Sequence, residues 1–216
     1  MRTNLCAVRL WALIAAACAE IFLLVGCVSS TRPGAVGVQR EQMLIVSAEE
    51  VNGAFASQYQ KQNTDAVRNG TLIRQGPEFE RIRKIANRII PQTRFFRDDT
   101  SQWKWGVVLI DEPTVNANCG AGGKITFYTG IIRQLRLTDG EIAAVMGHEV
   151  GHAIREHSRE KMSQALLQNS LAALAISRSS ANENTVERAR VIANYLITLP
   201  YSREMEVTCP PETGVA

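Results

Sequence analysis

The chain has 216 residues, 45% of them apolar and 21% charged, which is enough for one globular domain and a targeting segment. Its net charge is only +3 and no tract is rich in lysine and arginine, so the composition argues against a nucleic-acid-binding protein. The basic residues between Arg81 and Arg88 alternate with apolar ones at helical spacing, which is typical of a solvated helix face.

The first 26 residues have the pattern of a secretory signal peptide. Arg2 and Arg9 precede a mostly apolar run, Leu10–Gly26, which is short for a membrane-spanning helix and is interrupted by Glu20. The run ends in Leu-Val-Gly directly before Cys27, and this resembles the lipobox of bacterial lipoproteins. The motif predicts cleavage before Cys27 and attachment of lipid to that residue, with an uncleaved signal anchor as the alternative.

Residues 27–40 follow with serine, threonine, glycine and proline, a composition that predicts a flexible tether. Val28 stands where an aspartate would favour the inner membrane, so by resemblance to enterobacterial sorting rules we expect the periplasmic face of the outer membrane. The several acyl chains of a mature lipoprotein, at about 0.8 kcal/mol per buried methylene, would anchor it stably. Two cysteines lie beyond the tether, Cys119 and Cys209, and we expect both to be free or irrelevant to catalysis.

The predicted domain covers residues 41–207 and begins with two helices. Ser47-Ala48-Glu49-Glu50 is a capping box that starts the first helix, and Asn69-Gly70 ends it. Gly76-Pro77-Glu78 starts the second helix, which has apolar residues at intervals of three and four and ends at Pro91.

Two strands are predicted in the middle of the domain. Trp103–Ile110 is rich in aromatic and β-branched residues, and Lys124–Tyr128 is a shorter segment of the same kind. Between them, Asn116–Gly123 has the composition of a polar, glycine-rich loop. We expect the two strands to belong to one small sheet.

The rest of the domain is predicted to be helical. Thr138-Asp139-Gly140-Glu141 is a second capping box, and the helix that it starts reaches about Ser177. Another helix follows the polar break at Asn182–Asn184 and ends at Pro200, after which Tyr201–Val207 resumes as helix. The order of helices, small sheet and helices predicts an α+β fold.

The segment from His148 to His152 carries the chemistry. On a helix, residues four apart differ by about 40° of rotation and about 6 Å of rise, so both imidazoles leave the same face, as a shared tetrahedral zinc ion requires. Glu149, beside the first histidine, is placed to act as the general base. The pattern predicts a zinc metallopeptidase with one zinc ion per chain and polypeptide substrates.

A third zinc ligand has to come from elsewhere in the chain. His157 lies five residues after His152, about 140° around a regular helix, which predicts a surface position or a hydrogen bond behind the site instead of ligation. Glu204 and Glu206 are the better candidates, and spacing alone does not choose between them.

The chain over residues 41–207 resembles the gluzincin family that contains HtpX and the CAAX prenyl protease, in particular its periplasmic lipoprotein members. The segments that carry the resemblance are Val115–Cys119, Gly122–Ile125, Tyr128–Gly130, Asp139–His157 and Leu199–Val207. The resemblance implies a mostly helical, zincin-type metallopeptidase domain with a small sheet beside the active-site helix. It also implies Glu206 as the third ligand and an endopeptidase role in periplasmic or outer-membrane protein quality control.

The resemblance also implies a place for the substrate. The Gly122-Gly123 loop and the Lys124–Tyr128 strand are similar to the family's edge strand above the zinc, where a substrate pairs in extended form. The candidate residues are Asn116, Gly122, Gly123, Lys124 and Ile125. A hairpin without contact to substrate is the alternative.

The family pattern is lost after Val207. After the position of Val207, the family pattern continues with Glu-Ala-Asp, whereas this chain has Thr208-Cys209-Pro210. We therefore expect residues 208–216 to be an aberrant tail of a truncated or frameshifted chain, and loss of the aspartate would weaken support of the metal. The alternative function is a catalytically impaired lipoprotein that acts as a chaperone or assembly factor.

Overall fold

A computed structural model describes residues 29–33, 40–178 and Met205. The predicted signal peptide, Cys27, both candidate third ligands (Glu204 and Glu206) and the tail after Val207 lie outside these residues. The described elements are α1 (Ala48–Arg68), β1 (Leu72–Ile73), α2 (Pro77–Ile89), β2 (Gly106–Ile110), β3 (Ala117–Gly120), β4 (Lys124–Tyr128), α3 (Thr129–Leu135), α4 (Asp139–Ile154) and α5 (His157–Arg178). Helices around one small sheet confirm the predicted α+β class. Within the part of the chain described, no helix is both long and apolar enough to cross a bilayer.

Both predicted capping boxes start helices. The Ser47 hydroxyl accepts from the Glu50 N–H at 3.2 Å, and the Ser47 N–H donates to the Glu50 carboxylate in return. The same exchange links Thr138 and Glu141 at the start of α4. The second helix also begins at Pro77 as predicted, but Pro91 lies in a 3-10 turn, Ile90–Phe95, that continues directly from α2.

The sheet has four strands in the order β1-β2-β4-β3, and its centre is the parallel pair β2 and β4. The predicted association of these two strands is confirmed, although β2 begins only at Gly106 and excludes Trp103–Trp105. The prediction of a loop over Asn116–Gly123 is wrong in part, because Ala117–Gly120 forms β3, antiparallel to β4. Pairing with β4 supplies the hydrogen bonds that make this polar, glycine-rich segment a strand.

The two faces of the sheet are covered by different helices. One face packs against α2 and α4 in the apolar core, to which the strands contribute Leu109, Ile125 and Phe127. The other face carries Tyr128, whose hydroxyl accepts from the Gln62 side chain of α1 at 2.6 Å. The sheet therefore fixes the position of α4, the helix that carries the predicted metal ligands.

The long helix predicted after Thr138 is divided in two. α4 ends at Ile154, Glu156 adopts a left-handed conformation with φ 53°, and α5 begins at His157. Such a conformation costs a residue other than glycine about 1–3 kcal/mol. Arg97 offsets this cost, since its guanidinium donates to the Ile154 carbonyl at 3.1 Å and lies 3.3 Å from the Glu156 carboxylate.

Part of the predicted flexible tether contacts the domain. The Arg32 N–H donates to the Phe96 carbonyl at 2.8 Å, and the Ser30 hydroxyl lies 2.7 Å from the Gln42 side-chain oxygen. Gln42 in turn donates to the Arg155 carbonyl at 2.7 Å. These hydrogen bonds hold Ser30 and Arg32 against the domain, and the flexibility of the tether over residues 27–40 stays a prediction.

Gly130 in α3 lies where no side chain fits. A Cβ atom there would come within 2.4 Å of the Pro113 and Thr114 backbone, so the backbone itself would have to shift. We expect Gly130→Ala to lower the free energy of unfolding by about 1–3 kcal/mol, measured by urea denaturation. Gly53→Ala in α1 is the matched control: its Cβ meets nothing within 4 Å, so it should stabilise by about 0.5–1 kcal/mol. Equal stabilities of the two variants would contradict the packing.

Candidate metal centre

The two histidines of α4 converge as the sequence predicts. The Nε2 atoms of His148 and His152 are 2.9 Å apart, and their rings meet edge to face with centroids 4.5 Å apart. Glu149 is half-buried on the next position of the same helix. Because α4 is fixed against the sheet and α2, these three side chains have a rigid support.

A zinc ion fits this pair of nitrogens. Two imidazoles bound at about 2.0–2.1 Å in tetrahedral geometry have nitrogens about 3.4 Å apart, so the observed Nε2 pair needs to open by only about half an ångström. Within the described residues, no group of three or more histidine, cysteine, aspartate or glutamate side chains forms a complete metal site. Met205, between the two candidate glutamates, is helical and buried, which agrees at that residue with the predicted helix over Tyr201–Val207.

His152 is held in the protonation state that binds metal. Only 1% of the residue is exposed, and this burial, together with the neighbouring His148, lowers its pKa to about 3. The imidazole is therefore neutral at pH 7. Neutral imidazole is the form that binds a metal ion.

His157 lies directly behind His152. Their Nδ1 atoms are 2.8 Å apart, and His157 is as deeply buried as His152. Of the two roles predicted from the sequence, the structure shows the hydrogen bond behind the site and excludes the surface position. The break at Glu156 explains this, because a continuous helix would carry His157 about 140° away from His152.

Cys119 in β3 is free and buried beside the site, as predicted for the thiol. Burial raises its pKa well above the usual range, and the nearby Glu149 carboxylate raises it further. The thiol therefore stays protonated, which suits neither ligation nor nucleophilic attack. The other predicted free cysteine, Cys209, lies outside the described residues.

The predicted substrate strand is not an edge strand. β4 pairs with β2 through Lys124↔Gly106 and Ile125↔Val107, and its other side pairs with β3. Since both of its hydrogen-bonding edges are occupied, Lys124 and Ile125 have no backbone edge left for a substrate. The prediction is corrected for these two residues.

The other predicted substrate residues flank β3. Gly122 and Gly123 form the turn between β3 and β4, with φ angles of 73° and 80° that favour glycine. The Gly123 carbonyl accepts from the Gly106 N–H at 2.9 Å, so it is already paired. Asn116 immediately precedes β3, and its carbonyl accepts from the Tyr128 N–H at 3.3 Å.

In the sheet formed by the described residues, β3 is an edge strand that the sequence pattern did not predict. Because Asn116 and Tyr128 form a hydrogen-bonded antiparallel pair, the backbone groups of Ala117 and Cys119 point away from β4. The Ala117 N–H is bound by the Asn116 side chain at 2.9 Å. Within the described residues, the Ala117 carbonyl and both Cys119 backbone groups face this edge, at two residues that are themselves buried. The edge lies beside α4, against which β3 packs.

A comparison with protein families identifies the group to which these features belong. The model of Peptidase family M48 matches residues 77–209, which is more than half of the chain and includes strands β2 to β4, α4 and Met205. The chain belongs to peptidase family M48. Members of this family are zinc-dependent, in agreement with the fit of the two histidines.

Curated relatives of the chain are metalloendopeptidases. The chain is 34% identical over 107 residues to the mitochondrial metalloendopeptidase OMA1 of Arabidopsis thaliana. The aligned residues are 48% of this chain and 20% of the relative. The OMA1 of Schizosaccharomyces pombe is 32% identical over 106 residues, covering 49% and 30% respectively. The OMA1 of Saccharomyces cerevisiae is 30% identical over 109 residues, covering 48% and 29%. The chain thus matches less than a third of the length of these relatives.

Proposed function

We propose that this M48 protein is a zinc-dependent metalloendopeptidase in which His148, His152 and Glu206 bind one zinc ion and Glu149 is the general base. The observation that carries the proposal is the convergence of the two histidine Nε2 atoms, 2.9 Å apart, on a helix that also presents Glu149. The predicted enzyme class is supported by the family and by the names of its relatives.

The residues of the site divide the work of peptide hydrolysis. A bound zinc ion supplies a Lewis acid that polarises the scissile carbonyl and makes water more acidic. Glu149 takes a proton from the attacking water and returns it to the leaving amine. His157 keeps His152 in one orientation, so that the histidine does not have to be ordered in each turnover.

The outer edge of β3, which no other described strand pairs with, is the place where we propose that a substrate binds. An extended peptide that adds to this edge takes up the Ala117 carbonyl and the Cys119 backbone groups, and the peptide bond beside it lies over α4. Main-chain pairing of this kind recognises extended, unfolded segments with little dependence on sequence. This fits a protease that removes misfolded or unassembled proteins.

We place the protein in the cell envelope of a Gram-negative-type bacterium, lipid-anchored through Cys27 on the periplasmic side of the outer membrane. The lipobox before Cys27 and the residue after it support this placement. It assigns the chain to the periplasmic lipoprotein branch of the family, with envelope protein quality control as its role. The matched relatives are named as mitochondrial proteins. The envelope location is therefore proposed from the N-terminal sequence and not from these relatives.

Zinc content tests the metal site. We expect about one zinc ion per chain in the full-length protein purified in detergent. Glu206→Ala should lose the metal, whereas Glu204→Ala, the same change two residues earlier, should retain it. The reverse result for the two variants would make Glu204 the ligand. A parent protein without zinc and without casein hydrolysis would favour the impaired lipoprotein that acts as a chaperone or assembly factor.

A further inference from the structure

The segment after the proposed lipid attachment site is fixed on one surface of the domain. Arg32 contacts this surface through both its backbone and its side chain. Its N–H donates to the Phe96 carbonyl at 2.8 Å, and its guanidinium forms an ion pair with Asp98. Ser30 adds a contact with Gln42 at 2.7 Å. Residues 29–33 and the turn that ends at Phe96 therefore form one surface, which we call the anchor face.

Cys27 is close to the anchor face along the chain. Only one residue separates Cys27 from Ser29, and two residues of extended chain span at most about 7 Å. A lipid on Cys27 is therefore attached beside the anchor face, and not at the end of a tether of fourteen residues. The domain has little freedom to turn another surface towards the bilayer.

The anchor face also carries the most exposed large apolar side chain of the described residues. Phe95 is 62% exposed, and the guanidinium of Arg94 lies 5.6 Å from the centre of its ring. An exposed aromatic ring with a cation next to it suits the boundary between acyl chains and anionic headgroups. In water alone, this arrangement leaves a large apolar surface unburied.

We propose that the anchor face lies against a phospholipid bilayer and that Phe95 inserts into the bilayer interface. The proposal rests on the lipid anchor at Cys27 that is part of the proposed function. Arg97, which directly follows Phe96, donates a hydrogen bond to the carbonyl of Ile154. Ile154 is the last residue of α4, the helix that carries His152. The metal centre is therefore held at a fixed, short distance from the membrane, and substrates are proteins at or near the bilayer surface.

Depth-dependent quenching tests this orientation in the full, lipidated chain. A thiol-reactive fluorophore is attached to the cysteine of Phe95→Cys or of Val67→Cys. Both variants also carry Cys209→Ser, and Cys119 is buried and therefore protected from the label. Val67 is the matched control, since it is 55% exposed but lies on α1. In vesicles of phosphatidylethanolamine and phosphatidylglycerol with doxyl-labelled lipids, we expect at least twofold stronger quenching at position 95 than at position 67.

Equal quenching at the two positions, or stronger quenching at position 67, would overturn the proposal. Arg32→Pro removes both the N–H donor and the guanidinium, and should reduce quenching at position 95 to the level of position 67. Unchanged quenching in this variant would refute the fixed anchor segment. Mass analysis of the N-terminal peptide and casein hydrolysis are measured on the same preparations. If Cys27 carries no acyl chain, the proposed membrane orientation is overturned and the peptidase proposal is not affected. If casein hydrolysis alone is lost, the peptidase proposal is contradicted and the quenching result still tests the orientation.

Discussion

Glu149→Gln is expected to reduce peptide hydrolysis by about a hundredfold to ten-thousandfold, the usual contribution of a positioned general base. The substitution keeps the size of the side chain and removes its capacity to accept a proton from water. Glu149 is not one of the proposed ligands, so zinc content should stay near one ion per chain. Casein hydrolysis and metal analysis on the same sample check both expectations.

Glu141→Gln is the matched control for this prediction. Glu141 is on the same helix, is exposed, and accepts from the Thr138 N–H at 2.8 Å, a bond that a glutamine oxygen can also form. We expect this variant to retain the parent rate. If Glu149→Gln hydrolysed casein as fast as Glu141→Gln while holding zinc, another residue would be the base.

The parts of the fold that depend on local chemistry were predictable from the sequence. A hydroxyl at the N-cap and a glutamate three residues later satisfy each other's backbone groups, so Ser47 and Thr138 mark helix starts without knowledge of the rest of the fold. The spacing of His148 and His152 is equally local, because four residues on one helix determine which face they share.

Features that depend on distant partners were not predictable. β3 consists of Ala-Asn-Cys-Gly, which has the composition of a loop, and it becomes a strand because β4 provides its hydrogen bonds. That pairing in turn makes β4 an inner strand and β3 an edge strand of the described sheet. A hairpin at Gly122-Gly123, predicted only as the alternative to a substrate strand, was the one local sign that the preceding segment is a strand.

The break between α4 and α5 has the same kind of cause. No glycine or proline occurs at Arg155-Glu156, so the local sequence gives no sign that the helix ends there. The contacts that favour the break come from Arg97, which is more than fifty residues away in sequence. The position of His157 follows from this long-range contact. That position places the His157 ring 2.8 Å from His152, behind the metal-binding nitrogen.

The two ring nitrogens of His152 each have a short contact with another histidine. Its Nδ1 lies 2.8 Å from His157 Nδ1 and its Nε2 lies 2.9 Å from His148 Nε2, while a neutral imidazole has only one N–H. A lone pair on Nε2 is required for metal binding, which places the hydrogen of His152 on Nδ1. His157 must then accept it, and this hydrogen bond keeps His152 ready to bind without a change of tautomer.

His157→Leu is therefore expected to weaken zinc binding by about tenfold to a hundredfold, the usual effect of losing a partner behind a metal ligand. His157→Asn should bind zinc nearly as well as the parent, because the asparagine oxygen can occupy the position of Nδ1 and accept the same hydrogen. Competition with a chelator measures the affinities, and thermal unfolding without metal shows whether each variant is folded. Both substitutions remove the buried ring, so a purely structural role would predict equal losses in the two variants. Equal affinities of the leucine variant and the parent, with both proteins folded, would show that His157 does not position His152.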